Sequence, residues 1–181
     1  LSNSIYCDNT ENVVIKNNII DGTAKNGVLI GGSDNEGPGC VNTTIQGNTI
    51  SSSGQGGIVV VAATNTMVQD NISNFNGQTD AGFGQGIVVA GGDKTTLLGN
   101  SCVGNSYAGI LTVESPTNTF MQNNTTTQND FGIVDADAIG EVTAFFNKSC
   151  DNTTANCIDI PLVLQPGDPV TMGANLCCYD R

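Results

Sequence analysis

Histidine is absent from this chain of 181 residues, only five residues are basic, and no apolar run approaches the roughly 20 residues that cross a bilayer. The first absence removes the usual general base of a nucleophilic triad. The second leaves no Lys/Arg cluster to meet phosphates or anionic lipid, and 17 acids against 5 bases give a formal charge of -12. Nucleic acid and membrane insertion are therefore excluded as expected partners. Charged residues make up only 12% of the chain, so its polarity comes from Asn, Thr, Ser and Gln. No ten-residue segment carries apolar residues at helical spacing. The start also lacks an initiating Met, a charged n-region and an apolar h-region, so Leu1 is expected to be a processed terminus or the edge of a fragment.

What the chain has is a repeat. Asn100 is followed five residues on by Asn105, nine on by Gly109, and then by aliphatic residues. The nine-residue spacing recurs as Asn18 to Gly27 and Asn48 to Gly57, with Asn124 to Gly132 one residue shorter and Asn71 to Gly86 carrying an insertion. Anchors at Asn18, Asn48, Asn71, Asn100, Asn124 and Asn147 are separated by steps of 30, 23, 29, 24 and 23 residues. A period in the low twenties is a solenoid signature. The two long steps hold the insertions Gly31 to Cys40 and Gly77 to Gly84, both of loop composition.

Three residues before the anchors stand Ile15, Ile45, Val68, Leu97 and Met121, and five before stand Val13, Thr43, Thr66, Thr95 and Thr119. That alternation predicts a strand with one buried face. After each Gly come Val28, Ile58, Ile87, Ile110 and Ile133, then two further on Ile30, Val60, Val89, Thr112 and Asp135, which predicts a second strand per coil. Two or three short strands per coil satisfy their backbone groups only by pairing with the coils above and below. The expected fold is all-β: a single right-handed parallel β-helix of about six coils over residues 1–160, with an irregular tail over 161–181 that caps the last coil or forms an interface. From Ser4 to Ile160 the coils resemble the right-handed parallel β-helix repeat proteins of the pectin-lyase-like superfamily, which read roughly Ile-x-x-Asn followed by Asn-x-x-x-Gly-Ile. The resemblance implies the fold. It leaves function open among lyases, hydrolases, epimerases, tailspikes and non-enzymatic surface proteins.

Lyases of this superfamily use an Arg or Lys base beside Ca²⁺-binding Asp residues, and its hydrolases use clustered Asp with His. Here Arg181 is the last residue, and Lys16, Lys25, Lys94 and Lys148 do not share one register, so no catalytic residue is carried over. The anchors are expected to form an asparagine ladder, with Asn76, Asn105, Asn129 and Asn152 as a second one. Asp135 and Asp137 are one candidate carboxylate pair for Ca²⁺ or acid/base work, and Asp34 and Glu36 in the first insertion, with Asp80, are weaker Ca²⁺ candidates. The reading without a metal, with these acids in turns, end-cap or solvated loops, is preferred, and no cofactor is expected.

The seven cysteines fit no paired zinc-ligand spacing and point to disulfides in an oxidising compartment. Cys102 lies where earlier coils place Ile20 and Ile50 and is expected to be a buried thiol. The remaining candidates are Cys7, Cys40, Cys150, Cys157, Cys177 and Cys178. Cys150 with Cys157 would close a short loop, and Cys7 with Cys177 or Cys178 would join subunits end to end, the alternative being an intrachain tie of the tail. Leu29, Val59, Val88, Leu111 and Val134 form an outward aliphatic stripe expected to be an interface, covered by the tail or by another subunit. Tyr107 and Phe131 are expected to be isolated packing residues. The chain begins in mid-coil, and its uncapped edge is expected to follow missing upstream sequence or to stack on a neighbour. These features point to a non-catalytic extracellular or surface protein that self-associates end to end into a fibre or layer. A carbohydrate-active or polysaccharide-binding protein, and a fragment of a tailspike or adhesin, are the alternatives.

Overall fold

A computed structural model describes residues 2–31, 39–136, 142–158 and 175–178. Each coil contributes one strand to each of three parallel sheets, and every pairing is parallel and between neighbouring coils. The first sheet stacks Ile5–Cys7, Val28–Ile30, Ile58–Val61, Ile87–Ala90, Ala108–Val113, Phe131–Asp135 and Ala155–Ile158. The second stacks Val14–Lys16, Val41–Gln46, Thr64–Gln69, Asp93–Leu98, Thr119–Gln122 and Val142–Phe145. The third stacks Ile19–Asp21, Thr49–Ser51, Ile72–Asn74, Ser101–Val103, Thr125–Thr127, Lys148–Cys150 and Leu176–Cys177. Among the described residues six coils carry all three strands, and a seventh carries two. A short 3₁₀ turn, Ala81–Phe83, lies in the second insertion, and among the described residues no helix is long and apolar enough to cross a membrane.

Both strands predicted from the alternation are present, and the third follows directly after each anchor. Two left-handed corners make it so short. Asn17, Gly47, Asp70, Gly99, Asn123 and Phe146 turn the chain out of the second sheet at φ between 52° and 65°. Gly22, Ser52, Phe75, Gly104, Gln128 and Asp151 turn it out of the third at φ between 54° and 71°. The two corners stand five positions apart, so four residues lie between them, the anchor and the three of the strand.

Inward side chains fill a continuous core from Ile15 and Ile20 through Ile45, Ile58, Ile87, Leu97 and Ile110 to Ile133. The glycine column explains itself here. A Cβ on Gly57 would lie 2.7 Å from Asn76 Nδ2 and 2.8 Å from the Gly86 carbonyl, and one on Gly86 would lie 2.6 Å from the Gly109 carbonyl and 2.8 Å from Cys102 Sγ. No side chain fits at Gly57 or Gly86, where the third sheet crosses back to the first.

Inside the second sheet, Thr43, Thr66, Thr95 and Thr119 stack on one another, fully buried, and their hydroxyls find no partner among the described residues. A buried hydroxyl without a hydrogen bond carries a desolvation cost. Thr66→Val, which keeps the branched shape, is expected to raise the unfolding free energy by about 1 kcal/mol in urea titration; a fall instead would show that the hydroxyl is bonded.

Candidate functional site

The most conspicuous residues of the repeat, its asparagines, come together at two inside corners. Each anchor follows a left-handed residue that aims its side chain along the stack. Asn100 Oδ1 accepts from both the backbone N–H and Nδ2 of Asn71 at 3.0 Å, and Asn100 Nδ2 donates to the Val68 carbonyl at 2.8 Å and to Asn124 Oδ1 at 2.9 Å. Asn18, Asn48, Asn71, Asn124 and Asn147 are joined in the same way. Asn175 extends the ladder by one rung: its Oδ1 accepts from Asn147, and its Nδ2 donates to the Ala144 carbonyl. The second ladder runs Asn76, Asn105, Asn129, Asn152 and then Asn156. The interior rungs Asn71, Asn100, Asn124 and Asn105 use both the oxygen and the nitrogen of the amide within the stack and leave no valence for a ligand. Six asparagines stand in Asn-x-Ser/Thr, the acceptor pattern for N-linked glycans, and burial sorts them: Asn71, Asn124, Asn147 and Asn152 are buried rungs while Asn42 and Asn123 are exposed.

The candidate carboxylates do not form a described cluster. Asp135 points inward above Thr112, and its Oδ1 accepts from Thr112 Oγ1 at 2.8 Å inside the stack. Asp137, Asp34 and Glu36 lie outside the described residues. Among the described residues no three acids, cysteines or histidines are grouped to hold a metal ion. Asp93, at the entry to the second sheet, accepts from Asn118 Nδ2 and Thr117 Oγ1, and these bonds hold its carboxyl below the usual range.

The cysteines pair differently from the expected loop closure. Cys150 bonds Cys178 and Cys157 bonds Cys177, with Cα separations of 4.9 and 5.9 Å. Cys150 and Cys157 thus do not bond each other, because the strand Leu176–Cys177 pairs beside Lys148–Cys150 and brings the adjacent cysteines to both. Residues 175–178 are therefore part of the stack, not of an irregular tail. The pairing also removes Cys177 and Cys178 as partners for Cys7 of a neighbouring subunit. Cys7, Cys40 and Cys102 are free thiols. Burial pushes the Cys102 thiol far up, and burial together with the adjacent Cys40 raises that of Cys7.

This chain matches the family model for a right-handed β-helix region over residues 3–160. It belongs to the right-handed β-helix family. The match fixes the hand of the solenoid described above, and no curated protein matches it closely enough to narrow the function further.

On the outside of this β-helix, the aliphatic stripe of the first sheet is largely covered. Val88 and Leu111 are 8% exposed and Val134 6%, gathered in a second apolar cluster against which Val59, Tyr107 and Phe131 pack, while Leu29 is half-buried. Tyr107 and Phe131 are not isolated: their rings meet edge to face, with centroids 5.3 Å apart. Val88, Leu111 and Val134 therefore have little apolar area left for a second chain. The exposed apolar side chains lie elsewhere. Ile19 (86%) and Ile72 (43%) share one outward column of the third sheet, with Phe75 (52%) at the corner beyond. Val14 (66%) and Met67 share an outward column of the second sheet. The sequence carries these residues plainly, but without the two corners their outward direction is not assignable.

Proposed function

We propose that this β-helix is a non-catalytic structural rod of an extracellular or cell-surface assembly, and that it associates with further copies of itself through the outward columns of Ile19, Ile72 and Phe75 and of Val14 and Met67. The observation that carries the reading is that these apolar side chains are exposed in register on two adjoining sheets of the first three coils, while the ladder asparagines are bonded to one another inside the stack. Two disulfides support an oxidising compartment. The contact proposed is side to side, and the cysteines that suggested a covalent end-to-end link, Cys177 and Cys178, are paired within the chain.

A formal charge of -12 on each copy opposes association at low salt, so assembly should strengthen as salt screens it. Sedimentation velocity over a range of protein and salt concentrations reads this directly. The double variant Ile19→Asp/Ile72→Asp is expected to weaken association by roughly tenfold or more, since it removes central apolar anchors and adds charge. A monomer at every concentration and salt would overturn the proposal. If that monomer co-sedimented with insoluble polysaccharide, the carbohydrate-binding alternative would replace it, with the Phe120 and Phe145 rings on the second sheet as its first test.

A further inference from the structure

Three thiols remain outside the C-terminal disulfides, and two of them lie together in the first turns of the stack. Cys7 ends the first strand of the first sheet, in the inward column that continues as Ile30, Val60 and Val89. Cys40 is fully buried and immediately precedes Val41–Gln46. Its S–H donates to the Cys7 carbonyl oxygen at 3.2 Å, and Thr10 Oγ1 lies 3.4 Å from the same sulfur. Both side chains pack into one core cluster. The Cys40 sulfur thus touches the backbone of Cys7 itself, and a disulfide between the two requires their Cβ atoms to stand roughly 3.8 Å apart. Cys102 offers the contrast: it is equally buried, but its column neighbours are Ser73 and Thr126, so no second thiol stands beside it.

We infer that Cys7 and Cys40 are a disulfide-forming pair, oxidised by an external disulfide into a clasp between the first two coils. The exchange proceeds in two displacements. Cys7, the more exposed of the two, loses its proton and attacks one sulfur of the external disulfide; a mixed disulfide forms and one thiolate leaves. Cys40 then loses its proton and attacks the Cys7 sulfur, forming the Cys7–Cys40 bond and expelling the second thiolate. Two protein thiols are oxidised, one external disulfide is reduced to two thiols, and the two protons pass to solvent or to the departing thiolates. The resulting bond spans 33 positions and closes the loop that holds the first insertion. The first and the last described coils would then each carry covalent ties, here and at Cys177 and Cys178, whereas the coils between them rest on ladders and core.

The test uses the whole protein and glutathione disulfide as the probe. After oxidation the protein is denatured without reductant, its thiols are alkylated, and the products are read by intact mass and peptide mapping. The expected result is a single alkylated thiol, Cys102, and a peptide containing Cys7 linked to one containing Cys40 and released by reduction. Cys40→Ser is expected to retain glutathione on Cys7, because the resolving thiol is gone. Alkylation of all three free cysteines, a bond from Cys7 to another chain, persistent glutathione on Cys7 in the unaltered protein, or loss of that adduct in Cys40→Ser would each overturn the pairing.

Discussion

Asn100→Ala is expected to lower the unfolding free energy by about 3–5 kcal/mol, the sum of a small cavity and at least two stranded polar groups at roughly 1–3 kcal/mol each. The groups are identifiable. The Asn71 backbone N–H and one Asn71 amide hydrogen lose their shared acceptor, and the Val68 carbonyl loses a donor. The site is 1% exposed, so water cannot simply replace what is lost. Denaturant titration at neutral pH measures the loss, and an effect below about 1 kcal/mol would be that of an exposed turn residue. Asn100→Asp sharpens the test. It keeps the acceptor but buries a carboxylate against Asn124 Oδ1 and the Val68 carbonyl, which raises the folded-state pKa above the unfolded value of about 3.9. The variant is then least stable above its folded pKa, and stability returns as pH falls from that value towards the unfolded one.

Removing both C-terminal disulfides with Cys177→Ser/Cys178→Ser is the other large effect expected. The bonds span 28 and 20 positions, and loop-closure entropy puts each at about 3 kcal/mol. The location of the loss matters more than its size. In a solenoid each coil contacts only its neighbours, so fraying should begin at Leu176–Cys177 and pass to Lys148–Cys150 and Ala155–Ile158, leaving Ile58–Val61 protected. Hydrogen exchange by mass spectrometry resolves these segments. Uniform loss of protection along the rod would mean that the cysteines stabilise the whole chain through its unfolded state rather than by holding the last coil.

The repeat made the stack and its asparagine ladders legible because both depend on spacing: a side chain at a fixed place in each coil necessarily meets its equivalent about 4.8 Å away. Burial on the outer faces depends on something else. Val88 and Ile19 are both outward aliphatic residues, and spacing does not tell that the first is covered while the second is open. Asn175 escaped notice because 28 residues of largely non-repeating sequence separate it from Asn147, although the Leu and Cys that follow it do match the third strand. The disulfide pairing was hidden for a related reason. Adjacent cysteines reach two different partners only when a strand lies between those partners, and that strand is two residues long. The candidate carboxylates stand out in the sequence by residue type alone, and for Asp135 the decisive fact is its direction, inward onto Thr112.

Side-chain amide hydrogen exchange tests the account's central claim most directly, because it asks whether the repeat's asparagines belong to the scaffold. Nuclear magnetic resonance of labelled protein follows each Nδ2 separately. The ladder amides of Asn71, Asn100 and Asn124 are expected to exchange on the order of a thousandfold more slowly than the exposed amide of Asn123, the residue directly before one rung. Equal rates for Asn123 and Asn124 would contradict the account and return the asparagines to the list of residues free to bind a ligand.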